Sequence, residues 1–262
     1  MHQSNPTDDV VRTVIRRTEL LAALADQPQY KRDLVEALAC SRSTIDRAIR
    51  ELESLEFIAR TEVGYQLTAG GRLALSEYRR VEQAFTAIEE SGSLLRHVPA
   101  EAPLSTTLLD DARTYEVKPH APIEPLQELV SRFETATRVR GFAAAERIPA
   151  TRMRLYERTV EEDLTVEAIF TEDLAEFLFA EYPEQVRSSA TEGAFDMYAI
   201  ESIPYELTLI EQSDAQYVFV FVLNERTEIQ GVISNDTRAA FEWGESVFRE
   251  VRSAARSVSP PE

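Results

Sequence analysis

Apolar residues recur along this chain first at helical spacing and later in short alternating runs, and the change divides it in two. Over residues 10–25, Val10, Val11, Val14, Ile15, Leu20, Leu21 and Leu24 fall three and four apart, on one face of a helix. Asp26-Gln27-Pro28-Gln29 breaks the pattern, and Leu34, Val35 and Leu38 resume it over residues 31–39. A tight turn is predicted at Ala39-Cys40-Ser41. The next helix spans residues 41–55. Ile45, Ile49, Leu52 and Leu55 form its apolar face, and Ser41 is its N-cap, because the hydroxyl can accept from the free N–H groups of the first turn. Residues 57–60 and 65–68 read as a hairpin about Thr61-Glu62-Val63-Gly64, the glycine supplying the positive φ of a tight turn. A long helix over residues 72–90 carries an incomplete seam of Leu73, Leu75, Tyr78, Val81, Phe85 and Ile88. That seam either packs on its own hairpin and connects domains, or joins two copies of the chain.

The second part is different. Residues 94–111, with Pro99 and Pro103, read as a linker between the domains, with room for one short strand or helix. Strands are predicted at 112–117, 139–143 and 164–170, alternating with helices at 122–137, 149–161 and from Thr171 onward, with a further helix at 186–191. Four closely spaced strands follow at 194–200, 205–211, 216–223 and 228–234, then a helix over 236–256. Alternation followed by a strand run implies an α/β domain with a mixed sheet. The predicted fold is therefore an α+β winged helix-turn-helix (10–75), a connecting helix and linker (76–111) and the α/β domain (112–256). A disordered stretch (1–9) and a tail (257–262) flank them.

Composition narrows the function. With 262 residues and 44% apolar content, each domain can bury a core. No apolar run is long enough to span a bilayer and no apolar leader opens the chain, so a cytoplasmic location is expected. One cysteine, Cys40, excludes an internal disulfide. With only His2, His97 and His120 beside it, a structural zinc site is not expected either. The net charge of −18 is uneven: residues 1–75 carry 10 Lys and Arg against 11 Asp and Glu, residues 76–262 carry 18 against 35. Only Lys31 and Lys118 are lysines, beside 26 arginines. Lysine scarcity with excess acid resembles the proteomes of extremely halophilic archaea. The charge then keeps the protein hydrated in brine or, alternatively, forms an acidic face for a basic partner.

A helix-turn-helix presents its second helix to the DNA major groove. Phosphate contacts need cations, hydroxyls and N–H groups, and base contacts need side chains projecting from the helix. Ser41, Arg42, Ser43, Thr44, Arg47 and Arg50 supply these groups just after the turn. Arg47 and Arg42 can offer a fork to guanine, while Ser43 and Thr44 can reach phosphates or pyrimidine edges. Lys31 and Arg32 open the preceding helix as candidate phosphate contacts, and Arg60 and Tyr65 flank the wing turn. The wing turn itself carries Glu62 and no cation. Two competing readings remain: Arg47 and Arg50 pair with Asp46, Glu51 or Glu53 on a solvated face, or the winged helix binds a protein and serves as an adaptor.

The α/β domain holds no glycine-rich phosphate loop and no nucleophile elbow, so no catalytic residue, cofactor or metal is assigned. The acidic runs Asp110-Asp111 and Glu161-Glu162-Asp163 read as solvated surface. Arg138, Arg140, Arg152, Arg154 and Arg158 are the one basic concentration. Arg140, Arg154 and Arg158 could hold an anionic effector by bidentate pairing, or else pair with the abundant carboxylates.

Several phrases carry a family resemblance. They are residues 120–129 (His-Ala-Pro-Ile-Glu-Pro-Leu-Gln-Glu-Leu), Val139-Arg140-Gly141-Phe142, residues 164–174 (Leu-Thr-Val-Glu-Ala-Ile-Phe-Thr-Glu-Asp-Leu), and Ala240-Phe241-Glu242-Trp243-Gly244 before Phe248. In this order and spacing the chain resembles archaeal winged helix-turn-helix regulators, with a C-terminal domain similar to that of the regulators of methanogenesis and filament growth. The resemblance implies a transcription regulator whose C-terminal domain senses an effector, oligomerises, or both. In related archaeal sugar regulators that domain is similar to the phospholipase D fold without its chemistry. Active members of that fold need a His-x-Lys pair, and here His120 precedes Ala121 and Pro122. The expected partners are double-stranded DNA, a second copy of the chain and a small-molecule effector, with no membrane.

Overall fold

A computed structural model of the chain describes residues 5–118, 120–121, 123–161, 164–191 and 194–258. Contacts divide it into two units with the boundary between Phe85 and Thr86.

In the first unit, α1 (Pro6–Ala23) begins four residues before the predicted start at Val10. Asn5 accepts from the Thr7 N–H as N-cap, Pro6 occupies the first turn, and Asp8 and Asp9 sit at the positive end of the helix, so the polar opening is helical rather than disordered from residue 6 on. Helices α2 (Lys31–Ala37) and α3 (Arg42–Ser54) follow, separated by a turn in which Ala39 takes φ +48°. Strands β1 (Ile58–Thr61) and β2 (Gly64–Leu67) form the antiparallel wing, and α4 (Ala69–Glu90) leaves it. Thr68 Oγ1 accepts from Gly71 N, so α4 starts three residues earlier than its apolar seam predicts. Leu21, Leu24, Leu34, Ile45, Ile49 and Leu52 are buried together, each worth roughly 1.5–3 kcal/mol of transfer free energy.

The second unit is an α/β domain. Short helices α5 (Gly92–Leu95) and α6 (Thr106–Leu109) lie in what was predicted to be a linker. The segment instead belongs to the fold. Leu94, Leu108 and Leu109 are buried, Asn235 Nδ2 donates to the carbonyls of Leu108 (2.9 Å) and Asp110 (2.6 Å), and the Tyr205 hydroxyl donates to that of Pro103 (2.6 Å). Strand β3 (Arg113–Glu116) precedes a 3-10 turn (Glu124–Leu126) and α7 (Gln127–Phe133). The helix predicted over 122–137 is thus divided, since Pro125 offers no N–H to an α-helical ladder; Pro122 lies outside the described residues. Then come β4 (Arg138–Ala143), α8 (Pro149–Glu161), β5 (Thr165–Thr171), α9 (Glu172–Glu181), α10 (Pro183–Thr191), β6 (Phe195–Ile200), β7 (Glu206–Glu211), β8 (Gln216–Leu223), β9 (Ile229–Asn235), α11 (Arg238–Ala254) and β10 (Arg256–Ser257). Ser257, predicted as the start of a tail, pairs with Tyr198 in β6. The sheet order is β10-β6-β5-β4-β7-β8-β9-β3, parallel across β6-β5-β4 and antiparallel elsewhere. This is the mixed sheet predicted from the strand pattern.

Strand alternation sorts the core into two layers. Tyr217, Phe219 and Phe221 of β8 face one side with Val139, Val166, Phe195 and the helices α7, α8 and α9. Val218, Val220 and Val222 face the other with Phe142, Ile169, Phe241 and Phe248. Every residue of β8 after Gln216 is buried, as a strand covered on both faces requires.

Candidate nucleic-acid interface

Helix α3 is built as the sequence pattern demands. Ser41 Oγ accepts from Thr44 N at 3.2 Å and lies 2.9 Å from the hydroxyls of both Ser43 and Thr44. Ile45, Ala48, Ile49 and Leu52 are buried. The opposite face carries Ser43, Arg47 and Arg50 at i, i+4 and i+7, all exposed, beside exposed Arg42 and Thr44.

Of the three acidic residues that could have quenched this face, Asp46 and Glu51 are held by cations of other helices, and Glu53 is exposed. Asp46 holds Lys31 Nζ at 2.6 Å, tying α2 to α3; that hydrogen bond lowers the Asp46 carboxyl and raises the Lys31 ammonium from their usual values. Glu51 accepts from Arg17 Nε (2.9 Å) and Arg16 Nη2 (3.2 Å), tying α1 to α3, and the Arg17 bond in particular lowers its carboxyl. Among the described residues, Arg42 and Arg47 make no ion pair. Arg50 Nε donates only to the Asp46 carbonyl, at 3.2 Å. The alternative in which Arg47 and Arg50 pair with neighbouring carboxylates is therefore not what the structure adopts.

The remaining sequence-predicted contacts divide. Arg32 is exposed beside Asp33 (3.1 Å) and lies 5.5 Å from the Tyr30 ring centroid. Arg60 is exposed on β1. Lys31 is a strut between helices as well as a cation, its ammonium 5.7 Å from the Tyr65 ring. Tyr65 is a correction: its side chain is 8% exposed and belongs to the core, and its backbone exchanges hydrogen bonds with Gln29 (2.8 and 2.9 Å). It supports the wing from beneath. Sequence reasoning passed over Tyr30, 47% exposed at the N-cap of α2, with its hydroxyl 3.3 Å from the Glu62 carbonyl. An aromatic residue immediately before the two cations that open α2 was the available signal.

In the second unit the predicted arginine trio does not converge. Arg140 shares a sheet face with Phe142 and is 6% exposed. Its Nη2 donates to Glu211 (2.9 Å) and Glu245 (2.6 Å), and its guanidinium lies 5.9 and 6.0 Å from the rings of Phe241 and Phe248. Arg158 belongs to α8, which packs on the opposite face. It is buried and donates to the carbonyls of Phe133 (2.5 Å) and Ala136 (2.8 Å), which completes the C-terminal end of α7. Arg154 stands 3.9 Å from Glu157 on the outside of α8. Two of the three are structural groups separated by the sheet, so they form no common anion site. Of the acidic run at 161–163, Glu162 and Asp163 lie outside the described residues. Among the described residues no three His, Cys, Asp or Glu gather as a metal site, and no helix is long and apolar enough to cross a membrane.

Residues 8–90 match the HVO_A0261 N-terminal domain, and residues 122–254 match the middle domain of the methanogenesis regulatory protein FilR1. No curated protein matches the chain. Among solved structures, TrmBL2 is described as an archaeal chromatin protein with a novel mode of DNA binding. It is 12% identical, with a TM-score of 0.44, over 96% of this chain and 99% of that one. The phosphatidylserine synthase of Haemophilus influenzae Rd KW20 is 12% identical, with a TM-score of 0.41, over 56% of this chain and 39% of its own. Both likenesses are distant. The FilR1 match takes in more than half of the residues, and the protein accordingly belongs to the FilR1 middle-domain family of regulatory proteins.

Proposed function

We propose that the protein is a sequence-specific, duplex-DNA-binding transcriptional regulator that reads the major groove with α3. The observation that carries this reading is the outward ridge Ser43-Arg47-Arg50, exposed with Arg42 while the neighbouring Asp46 and Glu51 are occupied by Lys31, Arg16 and Arg17. Such a ridge combines bidentate donors for guanine with hydroxyls for phosphate. Ser41, Ser43 and Thr44 at the start of α3 add a favourable end for a phosphate. Arg32, Tyr30 and Arg60 are the flanking contacts.

A homodimer fits the same reading, because one helix reads few base pairs and paired half-sites multiply specificity. Leu73 and Phe85 on α4 are 68% and 67% exposed, and Val81 is 49% exposed, which supports the α4 seam as the place where two copies meet. Sedimentation equilibrium of the full chain tests this: a dimer that dissociates in Phe85→Arg supports it, and a monomeric wild type opposes it. The C-terminal unit is the proposed effector-sensing element, a non-catalytic scaffold of phospholipase D-like type. The lysine-poor, acidic composition supports a cytoplasmic protein of a halophilic archaeon.

Selection of bound duplexes from a random-sequence pool with the full chain, followed by anisotropy titration, tests the DNA reading. A shared motif bound at least tenfold tighter than scrambled duplex is expected, with Arg47→Ala losing most of that preference. No enrichment would oppose it and favour the adaptor; enrichment unaffected by Arg47→Ala would oppose base reading by α3.

A further inference from the structure

Three interior strands of the large sheet carry small side chains where their neighbours carry large ones. Ala168 of β5, Gly141 of β4 and Thr208 of β7 stand side by side in register. The row continues into Met197 of β6 on one side and Phe219 of β8 on the other. Strand alternation puts all five on the face covered by α7, α8 and α9. Met197 and Phe219 are buried, yet Ala168, Gly141 and Thr208 are only partly so. The space above these three is a cavity of about 190 Å³. Phe133 of α7 and Leu155 of α8 roof it, and Phe170 of β5 and Phe221 of β8 stand at its sides. The loop that leaves the carboxyl end of β4 forms its rim, the kind of place where open α/β sheets hold ligands. Glu206 of β7, 4% exposed, pins that loop by accepting from Ala144 N (2.9 Å), Ala145 N (3.2 Å) and Arg147 Nη2 (2.9 Å).

Every charged group of the lining is met by a partner. Arg147 is neutralised by Glu206, and Arg152 by Glu146. Glu167 follows Val166 on β5, so its carboxylate lies on the opposite face with Ile169; there it accepts from Arg252 Nε at 3.1 Å, with Arg138 4.0 Å away. No unpaired charge is left to attract an ion. The floor does offer a polar group. The Thr208 hydroxyl makes no hydrogen bond among the described residues and is open to the cavity. A hydroxyl both donates and accepts, and one such group in an otherwise apolar site fixes how a ligand lies. An apolar cavity of about 150 Å³ accepts benzene, so this one has room for a ring with a small substituent.

We infer that the cavity binds a small, neutral aromatic molecule with one hydroxyl, its ring over the Ala168-Gly141-Thr208 row and its hydroxyl bonded to that of Thr208. This deepens, and rests on, the reading of the C-terminal unit as the effector-sensing element. Binding is measured without DNA, so the cavity and the DNA-reading helix can fail separately. The full chain is titrated, by ligand-observed NMR, with phenol and with toluene, which has the same shape but a methyl in place of the hydroxyl. Both bind wild type. Thr208→Val, which keeps the shape of the floor, weakens phenol at least fivefold and leaves toluene within twofold, the signature of one lost hydrogen bond. Ala168→Leu and Ala143→Leu, which each project more side chain into the cavity, weaken both probes at least tenfold; either variant suffices if the other does not fold. Phenol binding that leaves duplex affinity unchanged supports the site and opposes the sensing role. The inference is overturned if neither probe binds wild type, if Thr208→Val changes both probes alike, or if the filled variants bind as wild type does.

Discussion

Arg140 and Glu51 show how a single side chain's role depends on what lies across from it. Arg140, attractive as an anion ligand in a list of arginines, is a buried cation held by Glu211 and Glu245 beneath α11. Arg140→Ala removes the cation and leaves two carboxylates facing each other. The expected loss is about 3 kcal/mol, the low end for breaking a buried pair, because Glu211 and Glu245 keep about a third of their exposure. Calorimetry of the full chain checks it; an unchanged melting profile would contradict the structural role. Glu51 ties α1 to α3, and the hydrogen bond from Arg17 holds its carboxyl below the usual 4.5. A depressed folded value means that the stabilisation is complete above 4.5 and is lost as pH falls through the lower folded value. Glu51→Gln therefore costs at most about 1 kcal/mol at neutral pH. Amide exchange across α1 and α3 should show wild type and variant converging on acidification; a gap that widens in acid would contradict this account.

At the scale of elements, what could be read in advance was whatever depends on near neighbours along the chain. The Ser41 cap, the Ile45-Ile49-Leu52 face and the exposed ridge opposite follow from spacing within thirteen residues. Tyr65 was legible too, since period two puts it on the same side of β2 as the buried Leu67, and only its position beside the wing turn suggested otherwise. The ties Lys31–Asp46 and Arg17–Glu51 join residues 15 and 34 apart, and no local pattern selects those partners. The burial of segment 94–111 is not legible in its sequence, because Leu94, Leu108 and Leu109 are too sparse to form a period and are covered by residues distant in the chain. The wing supplies an element-scale prediction. Gly64 has φ +122°, and a Cβ there would stand 2.4 Å from the Gln29 carbonyl oxygen. Gly64→Ala should destabilise the N-terminal unit by more than about 1 kcal/mol, through both the backbone conformation and the clash. Thermal unfolding at or above the wild-type midpoint would show that the wing turn does not need this glycine.

For the whole molecule, the charge distribution governs how the proposed regulator can hold DNA. A near-neutral winged helix joined to a strongly acidic unit has few cations to spend on phosphate, and only two lysines in all. Duplex affinity falls with salt at a log–log slope of about −0.9 per neutralised phosphate, so the slope for this protein should be shallower than about −6. A steeper slope would mean a broad phosphate interface that the exposed groups on α2, α3 and β1 do not supply. On the proposed reading, specificity then rests on α3 and on a pairing of two copies. The most direct test is genome-wide DNA occupancy in the native host, comparing the wild-type protein with the Arg47→Ala/Arg50→Ala double variant at matched abundance. Discrete peaks that share a motif in the wild type and vanish in the variant are the predicted result. Peaks that persist in the variant, or no enrichment for the wild type across growth conditions, would contradict the claim that α3 reads DNA.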